Sequence, residues 1–474
     1  MFPSRSFSTR DLLARVGPIA VAAIALAAAC ALAAPAVLAA NQEPGAAFVP
    51  APPASIAASA NTELGERIES ARELVIAGER LNVGLLRRFY ARHDFEPVWP
   101  TRQVQADSLM KAVLRAGDQG LAPELFHADL LRSPAKLPPL DRELLLSDAF
   151  LSYADALARG ILPVERRRDD EALTPGPIDI PAALDAAIDS PDPAAAIEAL
   201  APQTPTYRLL RQALQKFRAG TPRGKTATTR LREIEVNLER ERWLPRPLPA
   251  DRVWVNVADE RLVLYRDNQP VFSTRVIVGQ DVRRNQSPEF RTTIDGILFN
   301  PPWSIPNDIA TNEILPKAKN DPDYLARHHL VILPDGGLQQ LAGPTSGLGQ
   351  IMLYMQNRFD VYLHDTPSKN YFRRDDRRIS HGCIRVEYPQ ELAALLMQQP
   401  VDAINQAIAT GNTTRSELPE PVPVFVVYET AFADVDDTLQ FRPDVYRRDS
   451  EIWQYLDPER RAVAEREADS QRGG

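Results

Sequence analysis

The stretch "RVWVNVADERLVLYRDNQPVFSTRVIVG", residues 252–279, decides the fold class. Its apolar residues alternate instead of recurring at three and four, which is the period of a strand with one packed face. "RDNQ" (266–269) separates "LVLY" from "VFSTRVIV" and reads as a hairpin turn, so the stretch holds two or three strands. "RTTIDGILFNPPWSIP" (291–306) continues with a strand and a proline-rich loop holding Trp303, and "QIMLYMQNRFDVYLHDTPSK" (350–369) adds more strand. "PQELAALLMQQ" (389–399), opening on Pro389, is the clear helix of this half.

Upstream, the prolines of "PRPLPAD" (245–251) mark a boundary, and the period before it is helical. Apolar residues recur at three and four through "ERIESARELVIAGERLNVGLLRRFYARHDFEPVW" (66–99) and "LLLSDAFLSYADALARGIL" (144–162). "YRLLRQALQKFRAG" (207–220) and "TTRLREIEVNLERERWLP" (228–245) close the region. The expected architecture is α+β, with a helical N-terminal domain followed by a mainly antiparallel, sandwich-like β domain. At 474 residues, against ~100–200 per domain, two or three domains are expected. A net charge of -8 offers no footprint for nucleic acid.

The chain opens on Arg5, Arg10 and Arg15, then an alanine-rich apolar run from Val16 to about Ala34 and the small residues of "PAVLAANQ" (35–42). This order reads as a cleaved secretory signal over residues 1–40, followed by a Pro/Ala-rich linker over 41–61. A retained anchor, or a lipoprotein signal ending at Cys30, is the alternative. The expected location is the periplasm or cell envelope. Removal of the signal takes Cys30 with it, so Cys383 becomes the single thiol of a protein in an oxidising compartment. A lone cysteine there is a buried small hydrophobe, a metal ligand or a nucleophile.

Its neighbours, "SHGCIRV" (380–386), bear on that choice. A thiol with a pKa near 8.5 holds little thiolate at neutral pH, so a nucleophilic cysteine needs a histidine within reach. His381 precedes Cys383 by two and shares its side of an extended segment. His364 ends "FDVYLHD" (359–365), where Tyr362 and His364 lie on the polar face. Gly382 bares the backbone beside the sulfur for an oxyanion hole, and Arg385 offers a fork for a carboxylate. A zinc site from His364, His381 and Cys383 lacks the usual ligand spacing, and no metal is expected.

"YLHDTPSKNYFRRDDRRISHGCIRV" (362–386) resembles the signature of the YkuD-type L,D-transpeptidases. "FNPPWSIP" (299–306), "EILPKAKNDPDYLARH" (313–328) and "FRPDVYRRD" (441–449) resemble the large YcbB-like branch. So do "LRRFYARHDFEPVW" (86–99), "YADALARGILP" (153–163) and "IEVNLERERWLP" (234–245), which echo its helical scaffold. The resemblance implies a scaffold domain over 62–248, a catalytic domain over 249–448 and a charged tail over 449–474. It implies a cell-wall enzyme that forms a thioester on Cys383, expels D-alanine from a peptidoglycan stem peptide and joins the third residues of two stems. Wall synthases and carboxypeptidases would be its partners, and no cofactor is needed. His364 becomes the base, the Asp365 carbonyl its orienter, Gly382 and Cys383 the oxyanion donors, and His381 a residue shaping the pocket. Ser380, Arg385, Asp365, Tyr362 and Trp303 become candidate substrate contacts.

Two departures stand out. Where the branch inserts a peptidoglycan-binding module after residue 220, only "TPRGKTATT" (221–229) is present, and the segment between His328 and Gln350 is short for a cap over the cleft. A wall carboxypeptidase or endopeptidase using the same thioester, or a transpeptidase attaching a wall protein, is the alternative function.

Overall fold

The computed structural model describes residues 57–220 and 225–460. The expected signal, most of the linker, Cys30 and the tail beyond 460 lie outside the described residues. Helices fill the first half of the described chain. The longest, Pro139–Arg159, carries Pro139 in its first turn, where a missing N–H breaks no hydrogen bond, and stops at Gly160 with φ +85°. Its Leu144, Leu145, Phe150 and Leu157 share one core with Trp99, Tyr207, Leu214 and Trp243. The run 66–99, read as helical, contains a β-hairpin: β1 (Leu74–Ile76) and β2 (Glu79–Leu81) pair across Ala77 and Gly78, both at positive φ. Local turn chemistry at Ala77–Gly78 overrides the apolar period there.

The sheet begins at residue 252. β3 (Arg252–Asn256), β4 (Arg261–Arg266) and β5 (Gln269–Gly279) form an antiparallel meander, and the two residues between β4 and β5, Asp267 and Asn268, both have positive φ, as a tight hairpin turn requires. β6 (Phe290–Phe299) follows. β7 (Trp303–Ile305), β8 (Leu330–Ile332) and β9 (Leu338–Gln340) make a separate three-stranded sheet whose small core is Ile305, Ala310, Ile314, Leu330 and Leu338. The main sheet continues with β10 (Ile351–Tyr354), β11 (Leu363–His364), β12 (Arg378–Ser380), β13 (Ile384–Val386) and β14 (Thr414–Val427).

Its order is β12-β5-β13-β11-β10-β6-β14-β3-β4, and the β4–β5 pairing joins the ends into a ring of eight strands with β12 alongside. Val253, Leu264, Val278, Ile297, Leu353, Leu363, Ile384 and Val424 fill its core, against the helix Pro389–Met397. The sheet is mainly antiparallel but mixed: β11 with β13, β12 with β5 and β14 with β3 run parallel. The first of these needs a crossover, supplied by residues 365–383.

Candidate active site

The parallel pairing of β11 with β13 builds the site. Leu363 lies opposite Ile384 and His364 opposite Arg385, so Tyr362 falls opposite Cys383. Leu363, Ile384 and Val386 are buried in the core. With a side-chain period of two, Tyr362, His364, Cys383 and Arg385 therefore share the other face, with Cys383 diagonal to His364.

The turn that carries Cys383 is made by its glycine. Gly382 has φ +115°, which other residues rarely adopt. The Ser380 hydroxyl closes the turn, accepting the Gly382 N–H (3.2 Å) and donating to the Cys383 carbonyl (2.6 Å). Ser380 is buried, and its two bonds hold the turn. The same glycine breaks the extended geometry that would set His381 beside the sulfur. His381 is exposed, and its Nε2 lies 2.7 Å from Glu313 of the small subdomain. The small subdomain thus reaches the turn that carries Cys383 through Glu313.

Cys383 is half-buried, with Sγ 3.8 Å from the Asp360 carbonyl oxygen. Burial pushes its thiol up, against the opposing pull of the Tyr362 N–H and the Arg385 charge. His364 is buried, and its Nδ1 donates to the Asp365 carbonyl oxygen at 2.6 Å, which leaves Nε2 as the basic nitrogen. Burial, and then the Arg385 charge, lower its pKa to about 4, outweighing the Asp365 and Leu348 carbonyls. The resting pair is therefore a neutral thiol and a neutral imidazole. A reaction of the Cys383 thiol in which His364 takes its proton, followed by stopped flow, should rise through an apparent pKa near 4 and stay level through neutrality. An acid limb near 6.5 or above would contradict this electrostatic account.

Arg385 is half-buried, and its Nε is buried without a hydrogen-bond partner among the described residues. Burial lowers its pKa, the mark of a cation awaiting a counter-charge. The Asp365 carboxylate is turned away from this face: Oδ2 accepts the Gln350 N–H (2.9 Å) and Oδ1 lies 2.7 Å from Lys369 Nζ. Asp365 fills the space a Cβ on Gly349 would take, so it packs the His364 loop against Gly349. Tyr362 stands beside Cys383 at the rim. Trp303 is half-buried on β7 and packs against Gly347, serving the small subdomain. Sequence reasoning missed Glu313, Asp360 and Ser287, which touch the turn only through chain reversals. No cluster of three metal-ligating side chains occurs among the described residues.

Among known protein families, residues 250–422 match the L,D-transpeptidase catalytic domain family, YkuD, and residues 84–214 match the Scaffold domain family. A Haemophilus influenzae protein named "Putative L,D-transpeptidase" is 30% identical over 279 residues, covering 54% of this chain and 55% of that protein. The chain thus matches about half the length of this relative. Among solved structures, the Ldtfm-avibactam carbamoyl enzyme is 12% identical with a TM-score of 0.21, covering 38% of this chain and 49% of the other. A cysteine-to-serine mutant of an Enterococcus faecium L,D-transpeptidase is 10% identical with a TM-score of 0.18, covering 41% and 63%. Superpositions this poor carry no argument.

Proposed function

We propose that this chain, a member of the L,D-transpeptidase family with a Scaffold domain ahead of its YkuD catalytic domain, cross-links the third residues of peptidoglycan stem peptides through a thioester on Cys383. The observation that carries the reading is the shared face: one thiol, one buried neutral imidazole and one guanidinium whose buried Nε has no hydrogen-bond partner among the described residues, brought together by the parallel pairing of β11 with β13. His364 Nε2 takes the thiol proton as Sγ bonds to the carbonyl carbon of the donor stem's third residue. The carbon–nitrogen bond to D-alanine breaks, and the proton passes from the imidazolium to the leaving amine. The side-chain amine of a second stem then attacks the thioester, His364 takes its proton, and Sγ leaves and is reprotonated. Electrons and protons balance without a redox partner or a metal.

Within this scheme the Cys383 N–H is the backbone donor for the oxyanion, because the Gly382 N–H is already bonded to Ser380. Arg385 meets a carboxylate of the donor stem. Arg385→Met should raise KM for a tetrapeptide stem by ~10–100-fold, the worth of one charged hydrogen bond, with a smaller change in kcat. It should also move the acid limb upward, since the charge that depresses His364 is gone. An unchanged KM removes Arg385 from substrate binding.

The site requires peptidoglycan on the outer side of the cytoplasmic membrane, so export is part of the proposal. No helix among the described residues is long and apolar enough to cross a membrane. The test is incubation of purified protein with a disaccharide-tetrapeptide. A covalent mass increase on Cys383, free D-alanine and a dimer joined through two third residues support cross-linking. D-alanine without a dimer identifies a carboxypeptidase, and the absence of both products sinks the reading.

A further inference from the structure

We propose that Ser287 is a positioning residue for acyl transfer, holding the peptide plane whose N–H faces the oxyanion. The inference rests on the proposed reaction and extends it to a residue outside the signature. In a trans peptide the carbonyl and the N–H point in opposite directions, so fixing one aims the other. The plane that carries the Cys383 N–H has the Gly382 carbonyl at its other edge. That carbonyl accepts a 2.8 Å hydrogen bond from Ser287 Oγ. The same hydroxyl accepts the Gly279 N–H at 3.0 Å, so its proton is committed to Gly382. Donation into the carbonyl also polarises the amide and strengthens the N–H on the far side.

Ser287 is fully buried, and its own backbone is held from two further directions. Its N–H points to Tyr446 Oη (3.4 Å), which itself donates to the Gly279 carbonyl (2.5 Å). Its carbonyl accepts from Arg448 Nη2 at 3.1 Å, and the neighbouring Gln286 Oε1 accepts from Arg168 Nη2 at 2.8 Å. A Cβ on Gly279 would run into the Asn285 carbonyl, so the 280–287 loop lies hard against the strand end beneath the nucleophile. Two residues of "FRPDVYRRD" (441–449), Tyr446 and Arg448, thereby brace the loop that aims the turn. As the Sγ–carbon bond forms, the carbonyl electrons move onto oxygen, and the Cys383 N–H meets that charge. Collapse restores the carbonyl and expels the amine.

The experiment compares two reactions of one sulfur in the full chain. Ser287→Ala is assayed for D-alanine release from a disaccharide-tetrapeptide and for alkylation of Cys383 by iodoacetamide, a displacement at a saturated carbon that develops no oxyanion. The expected result is a fall of ~10–100-fold in kcat with KM and alkylation within about twofold of the parent. Unchanged kcat overturns the proposal, and so does a parallel fall in both reactions, which would mean the turn has merely collapsed. Should Ser287→Ala not fold, Tyr446→Phe keeps the ring and removes only the hydroxyl. It should lower kcat by about threefold to tenfold with alkylation unchanged, and an unchanged ratio of the two rates overturns the proposal. A parent protein that is alkylated yet releases no D-alanine would instead remove the assigned reaction, and the role of Ser287 with it.

Discussion

Cys383→Ala should lower D-alanine release from a tetrapeptide stem by ~10³-fold or more and eliminate the covalent adduct. In the proposed reaction the thiol forms the bond to the donor carbonyl, and the neighbours described around it are already engaged. His364 is buried, with Nδ1 bonded to the Asp365 carbonyl, and Ser380 Oγ is engaged at both ends of the turn. Water activated by His364 could hydrolyse a stem only at the low rate left by binding and the oxyanion donor. The substitution removes one half-buried sulfur in loose contact with Asp360, so stability should change by no more than ~1 kcal/mol. Circular dichroism and calorimetry therefore serve as controls for the loss of activity. Cys383→Ser should be nearly as inactive: a neutral imidazole with a pKa of about 4 is a weak base for an alcohol. Retention of more than a tenth of parental activity in Cys383→Ala would exclude the thioester.

The parts of this site that the sequence made legible are those written locally. The alternation across 252–279 and the Asp267–Asn268 turn follow from strand period and turn chemistry, and three strands lie where two or three were expected. Gly382 could be singled out because the residue type itself announces unusual backbone. What stayed hidden depends on partners distant in the chain. The parallel pairing of β11 with β13 needs a crossover whose path no local pattern encodes, and it is this register that sets His364 across from Arg385. The parity argument for His381 counts by twos along extended backbone, and Gly382 at φ +115° departs from that geometry. Asp365 and Ser380 were readable as motif members but not as turn-holders, since a side chain bonded to its own loop looks the same in sequence as one facing substrate.

The most severe loss of stability should come from Arg448→Met. Arg448 is fully buried and lies where three chain segments meet: Nη1 is 2.8 Å from Glu289, Nη2 is 2.9 Å from Asp170, and Nε is 3.9 Å from Glu171. Asp170 and Glu171 lie between the helices Pro139–Arg159 and Ile180–Ile188, Glu289 precedes β6, and Arg448 begins the helix Arg448–Leu456. Burial and the Glu289 charge already hold Glu171 up at about 7. Removing the cation leaves buried carboxylates facing one another, and breaking such a group from one side costs ~3–5 kcal/mol. Methionine keeps much of the volume between Tyr428 and Tyr446, so the loss would be electrostatic and not a cavity. The sign of its pH dependence follows. A carboxyl whose folded pKa lies above its unfolded value binds its proton more tightly in the native state, so its penalty grows as pH rises from the unfolded pKa through the folded one. Without Arg448 the folded pKa of Glu171 rises further, and its protonation relieves the repulsion. Urea denaturation should therefore show a clearly larger loss at pH 8 than at pH 5.5. Equal losses at both pH values would mean that packing, and not buried charge, is what Arg448 contributes to this junction.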